Sequence, residues 1–309
     1  MPWPTKNRNE IKDDTIPLEL PHLDLPTIDK VRKSNDDFMT DLIQVTNDIR
    51  KAIILVSGVI PQKNIELEKL DVLRGHLVRL YKLYDSYIFL IVERRTEIAF
   101  IILRALTETI INLHYLLKHI DTYVHRKYKR ASLAYENRLE ENILKNILKR
   151  KEKLPIEERM LKSIASTFSR SGFDNLEKEE LKKTQWGLEK QHLEISGKAG
   201  DVGLYPIYEN MFMTSSHFVH GSWHELDFHH LERERDSRGT RAPQIRYTNP
   251  KPQLLEAVSI FTLEALQKYL LVITENSGQA EEVKKYLDTI AKWFFDMSYR
   301  HEEYLSNKQ

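Results

Sequence analysis

Three imidazoles, His217, His220 and His224, stand at i, i+3 and i+7 in the stretch SSHFVHGSWHELDFHH, Ser215 to His230. On a helix that spacing lines them along one side. Ser216 and Ser222 lie beside them. Imidazole titrates near neutral pH, so one ring could serve as general acid or base. With a carboxylate such as Glu108 or Asp227, the three could also hold a metal. The helix lacks the glutamate of a His–Glu–x–x–His site, however, and no metal is assigned. The plainer alternative is structural, with a histidine holding a neighbouring helix by a hydrogen bond to Glu108. His229 and His230 are expected at the helix end or in solvent.

The second group lies in ERRTEIAFIILRALTETIINLHYLLKH, Glu93 to His119. Glu97, Arg104, Glu108 and Tyr115 are spaced by seven, four and seven and share one face of a helix that is otherwise apolar. A helix apolar on all sides is buried, and a buried charge is costly unless paired. Arg104 and Glu108 can pair within the helix. The pair either fixes helix orientation or faces a pocket. The imidazole stretch is the expected source of the remaining partners.

A third group, Arg233, Arg235, Arg238, Arg241 and Arg246, falls in a stretch without periodicity. It could clasp phosphates, or it could be a solvated loop. The candidate catalytic residues are therefore Arg104, Glu108, His217 and His220. The candidate substrate contacts are Tyr115, Ser216, Arg238 and Arg241.

These groups need scaffolding, and the pattern supplies helices. Apolar residues recur at helical spacing over 27–59, 64–92 and 93–119, the last two almost continuous. A charge-dense surface helix is expected over 121–153, and short ones over 156–168 and 176–192. The glycine- and proline-rich segment 195–206 reads as a loop. Residues 208–231 read as a helix that Gly221 bends, 232–252 as an arginine-rich loop, and 253–276 and 279–305 as closing helices. No strand series, repeat or nucleotide-binding glycine loop is evident, and no cofactor is expected. The fold class is all-α, a multi-helix bundle of long helices. Residues 1–26, punctuated by five prolines, form an extended arm. Residues 27–309 form a single helical domain, with 121–200 as a polar helical insertion.

Composition narrows the class. The 309 residues are 30% charged and 41% hydrophobic, ordinary for a globular protein large enough for a substantial core. A net charge of +1 rules out a polycation that coats nucleic acid, so any basic site is local. With no cysteine there are no disulfides and no thiolate chemistry. The N-terminus has no basic-then-apolar leader, and the apolar window 98–117 carries Arg104 and Glu108. A cytoplasmic chain with no membrane partner is expected.

Two motifs carry a resemblance. One is Arg104, Glu108 and Tyr115 in LRALTETIINLHYL. The other is Ser216, His220 and Gly221 in YENMFMTSSHFVHGS. Together they resemble a bacterial family known as domain of unknown function 5677, which looks helical. The second motif is also similar to the end of HEPN domains, helical modules of toxins and antiviral defence. Many of those are metal-independent ribonucleases that use an Arg followed four to six residues later by His, completed across a dimer. No histidine here has an arginine at that distance, so Arg104 on another helix would have to stand in. The resemblance implies a toxin-like effector acting on RNA through an Arg/Glu/His centre. The alternative is a non-catalytic module that assembles with itself or a partner protein. A metal-dependent hydrolase ranks third.

Overall fold

The computed structural model describes residues 20–61, 64–173, 181, 185–274 and 278–308. Five long helices build the main core: α1 (Asn35–Gly58), α2 (Leu67–Val92), α3 (Thr96–Lys118), α10 (Pro252–Ile273) and α11 (Gly278–Ser306). Between α3 and α10 come α4 (Val124–Arg150), α5 (Pro155–Ser171), α6 (Ile195–Asp201), the single turn α7 (Tyr205–Ile207), α8 (Thr214–His220) and the turn α9 (Trp223–Glu225). Leu42, Ile49, Leu73, Leu80, Leu106, Leu113, Leu266 and Phe294 are fully buried where the long helices meet. Each such side chain contributes roughly 1.5–3 kcal/mol. The all-α expectation holds.

Several boundaries differ from the sequence pattern. The helix expected from residue 27 starts at Asn35, where Ser34 and Asp37 cap each other's backbone. Residues 27–33 instead wrap around Arg32. Its guanidinium donates to the carbonyls of Thr27, Ile28 and Lys30 and to Asp41. The arm expected over 1–26 is described only from Leu20, and residues 1–19 lie outside the described residues. Its end is tied down, because Trp293 donates to the Pro26 carbonyl and the Asp24 amide donates to Asp48.

The helices expected to run together at residue 93 are separated by a tight reversal, with Arg94 in the left-handed region at φ 56°. α2 and α3 then lie antiparallel, and Arg79 donates to the Thr109 hydroxyl midway along both. By length and composition α3 could cross a membrane, yet over half of that apolar window is buried in the bundle.

α4 and α5 form a hairpin with a small core of its own: Leu133, Ala134, Ile143, Ile164, Phe168, Phe173 and Leu181. Of the helix expected over 176–192, residues 176–180 and 182–184 lie outside the described residues. The rest is irregular before a 3-10 turn at Lys190–Leu193. The expected loop at 195–206 is largely helical, since α6 spans Ile195–Asp201. Gly197 is there for packing, because a Cβ on it would stand 1.7 Å from the Gln191 carbonyl oxygen.

The expected arginine-rich loop contains an antiparallel hairpin, β1 (Leu231–Arg235) with β2 (Arg241–Pro243). The Asp236 carboxylate closes its turn by accepting from Arg238 and Thr240.

One buried acid makes the core sensitive to pH. Glu256 of α10 faces His301 of α11 at 3.6 Å, and burial pushes its carboxyl from 4.5 up to about 7, with Ser298 and Glu302 beside it. The stability contributed by the neutral acid is complete below pH 4.5 and is lost as pH rises through about 7. Urea unfolding of Glu256→Gln should match the parent near pH 4.5. At pH 8 it should exceed the parent by on the order of 3 kcal/mol. Parallel pH curves would contradict the assignment.

Candidate active site

The polar face of α3 is real, and its partners change along its length. The segment 185–230 packs against it. At the far end Tyr115 is fully buried. Its hydroxyl accepts from the Leu188 amide at 2.9 Å and shares a hydrogen bond with His192 Nδ1 at 3.1 Å. Beside it Asp201 joins Lys118 and His119, both at 2.8 Å. Burial acts to raise the Asp201 pKa, but these two partners hold the carboxyl below its usual value. Lys198 lies over the Trp186 ring at 4.1 Å, where burial brings its ammonium down to about 8. Tyr115, a candidate substrate contact, is thus enclosed and fastens α3 to this segment.

In the middle, Arg104 donates Nε to the Ser216 hydroxyl at 3.1 Å and lies 4.2 Å above the Phe212 ring. Glu108 Oε2 is 3.5 Å from Nη1. Arg104 and Ser216 thus bring the two motifs into contact. The pair is not hidden, though, because the Arg104 and Glu108 side chains are 29% and 44% exposed. No imidazole pairs with Glu108 among the described residues. The charges are tolerated here because α3 turns this part of its face toward solvent.

At the near end Glu97 is the carboxylate that is hidden. Its Oε1 accepts from the Thr248 amide at 2.9 Å and hydroxyl at 2.7 Å, and lies 3.3 Å from His229 Nδ1. Its Oε2 is buried without a hydrogen-bond partner among the described residues. The Thr96 hydroxyl in turn donates to the Thr248 carbonyl. His229 was expected at a helix end or in solvent. It does lie at a helix end, in the last turn of Leu226–His230, but its side chain is only 14% exposed, held between Phe218 (5.2 Å) and Phe228 (4.8 Å). His230 is half-exposed and pairs with buried Glu225.

The path of residues 208–230 explains the difference. π-helical turns occupy Tyr208–Met213 and Leu226–His230, and Gly221, at φ 58°, ends α8. Ser222 then caps α9. These wider turns and the break defeat a single 3.6-residue period. The His217 and His224 rings still meet edge to face at 5.9 Å, and His217 Nδ1 shares a hydrogen bond with the Ser222 hydroxyl at 3.0 Å. His220 is exposed and makes no hydrogen bond, ion pair or ring contact among the described residues. Three or more histidine or carboxylate side chains are nowhere gathered as a metal site among the described residues.

His217, His224 and His229 line one cleft of about 700 Å³. Phe100, Phe218, Phe228 and Leu254 give it apolar walls, while Thr96, Thr248, Asn249, Lys251 and Gln253 supply polar groups. Phe218 lies flat on Phe100 at 4.2 Å, which fixes the wall nearest His229. Arg104 and Glu108 are outside this lining. Arg241 is committed to Asp227 and to the carbonyls of Asp227, Glu232 and Leu231. Arg238 is exposed and paired with Asp236.

The cleft thus brings together what proton transfer needs. One imidazole is backed by a buried carboxylate, others stand close by, and an ammonium lies on the rim. A buried carboxylate behind a histidine fixes the orientation of the ring. With Nδ1 of His229 turned to Glu97, Nε2 is the nitrogen left for a ligand.

A family model described as a family of unknown function (DUF5677) matches residues 70–238, more than half of the chain. No curated protein and no solved structure matches.

Proposed function

The chain belongs to the DUF5677 family, whose function is unknown, and from that premise we propose that it cleaves RNA by proton transfer between imidazoles of the cleft. One observation carries the reading: a histidine with a buried carboxylate behind it shares an apolar-walled cleft with two further histidines. His229, oriented by Glu97, takes the proton from a ribose 2′-hydroxyl. The 2′-oxygen attacks the adjacent phosphorus and the bond to the 5′-oxygen breaks. His217, anchored by Ser222, delivers a proton to that leaving oxygen. The products are a 2′,3′-cyclic phosphate and a 5′-hydroxyl, and no other reactant is consumed. Lys251 offsets the charge that develops on the phosphoryl oxygens. Compared with the HEPN-like arrangement, the proton-moving role passes from His220 to His229, and Glu97 rather than Glu108 orients the ring. Unrestrained in a cell, this activity would destroy transcripts and stop growth, the toxin-like or defence role that the HEPN resemblance implies.

The test uses a DNA oligonucleotide carrying a single internal ribonucleotide, incubated in excess chelator. Cleavage is expected only at the phosphate 3′ to the ribose, leaving the cyclic end. Equal cutting of the all-DNA strand, or cutting that stops in chelator, removes this mechanism.

A second reading, a non-catalytic assembly module, is favoured by the exposed Val219, Trp223 and Leu226 on the same helical turns. Glu97 and His229 would then serve only to tie α3 to the chain before α10. A protein that stays monomeric at high concentration counts against it.

A further inference from the structure

Phe228 lines the cleft and yet is 53% exposed. Large apolar rings are normally covered, and its surroundings hold it in place rather than cover it. The His224 ring lies nearly parallel, 23° off and 6.3 Å away, and His229 meets it edge-on. The Arg233 guanidinium of β1 stands 5.9 Å from the ring. The half-exposed Phe228 ring, with the nearly parallel His224 ring stacked beside it four residues away on one helical segment, therefore offers a shelf in the lining of the cleft. The side-chain amides of Asn249 and Gln253, also in the lining, make no hydrogen bond among the described residues. Each free amide offers a donor and an acceptor together, the pattern that the edge of a base presents in return. The nearby cations, Arg233 and Lys251, suit a phosphate backbone.

We propose that the Phe228–His224 shelf stacks an unpaired nucleobase, so that the ligand of this cleft is single-stranded RNA rather than duplex. A paired base already has both faces covered by its neighbours and cannot lie on a protein ring. Stacking is tolerant of base identity, so the shelf selects for strandedness first. Asn249 and Gln253 then read the edge of the stacked base. This inference rests on the cleft being the reaction site proposed above, and it adds the substrate class.

The experiment measures fluorescence anisotropy of the full chain with a labelled, fully 2′-O-methylated RNA strand, which binds but cannot be cut. The same strand annealed to its complement and an abasic strand are the comparisons. Phe228→Ala should weaken single-strand binding by about 5- to 150-fold, the worth of one base stack. Phe228→Trp should bind at least as tightly as the parent. Duplex and abasic strands should bind the parent as weakly as the single strand binds Phe228→Ala. Equal binding of single strand and duplex overturns the proposal, as does an unchanged Phe228→Ala. So does a loss of binding that tracks the break-up of an oligomer in light scattering, which would make the ring a subunit contact. Binding that depends on Phe228 without any cleavage of natural RNA refutes the reaction and spares the shelf. Cleavage indifferent to Phe228 does the reverse.

Discussion

Replacing His229 by alanine should lower the proposed RNA cleavage by about 10²- to 10⁴-fold, the range for loss of a positioned general base, and leave the fold in place. The fold survives because Glu97 keeps both donors from Thr248, the amide and the hydroxyl, when the imidazole is gone. Phe218 also keeps its flat contact with Phe100. Glu97→Gln separates positioning from catalysis. The amide oxygen can still accept from Thr248, but the carboxylate behind the His229 ring is gone. A loss of at least about tenfold in turnover, with an unchanged melting temperature, is expected. His220→Ala, on an exposed ring without partners among the described residues, should cleave like the parent. Single-turnover rates and thermal melts on the three variants decide the matter. A His229→Ala protein that cuts at the parental rate removes this cleft as the reaction site.

Replacing Arg32 by alanine destabilises the chain by about 3–5 kcal/mol, the cost of stripping one partner from a buried ion pair. The side chains of Arg32 and Asp41 are only 2% and 3% exposed, and their 2.7 Å contact is the hub of the segment 27–33. Three carbonyls lose their guanidinium donors at the same time. Lys30, 3.0 Å from the other Asp41 oxygen and largely in solvent, compensates in part. Arg32→Lys keeps the charge but not the fork, so it should fall between the two. Removing both charges, Arg32→Met with Asp41→Asn, should cost less than Arg32→Ala alone, because no carboxylate is then stranded. Urea denaturation measures all three. A loss below about 1 kcal/mol for Arg32→Ala would place this pair among ordinary surface contacts.

The long helices were legible because their apolar residues recur at one period over many turns, which no other local structure reproduces. What escaped the pattern was decided by tertiary contact. Residues 27–33 have helical spacing, but Arg32 recruits their carbonyls and the helix waits for Ser34. Gly197 reads as a breaker and in fact permits close packing on Gln191. The hairpin strand LERER alternates no apolar residues, so it carries no strand signal, although β1 forms there.

The site was half legible. A buried carboxylate on α3 paired with an imidazole from the Ser215–His230 stretch was expected, and Arg104 does meet Ser216. The members of the hidden pair were misplaced, because Glu97 takes His229 while Glu108 stays half in water. Helical extrapolation from His217 could not reach His229 across Gly221 and a π-helical turn. The one available signal was Glu97 itself, the first carboxylate of an apolar helix, whose burial demands a distant donor.

That donor sits 151 residues away, at Thr248, beyond the last residue of the family match. A chain severed at residue 238 would keep all three imidazoles of the cleft and would lose the only amide and hydroxyl that grip the Glu97 carboxylate among the described residues. The grip on the Glu97 carboxylate, and through it on His229, is therefore delivered by the stretch leading into α10, outside the matched portion.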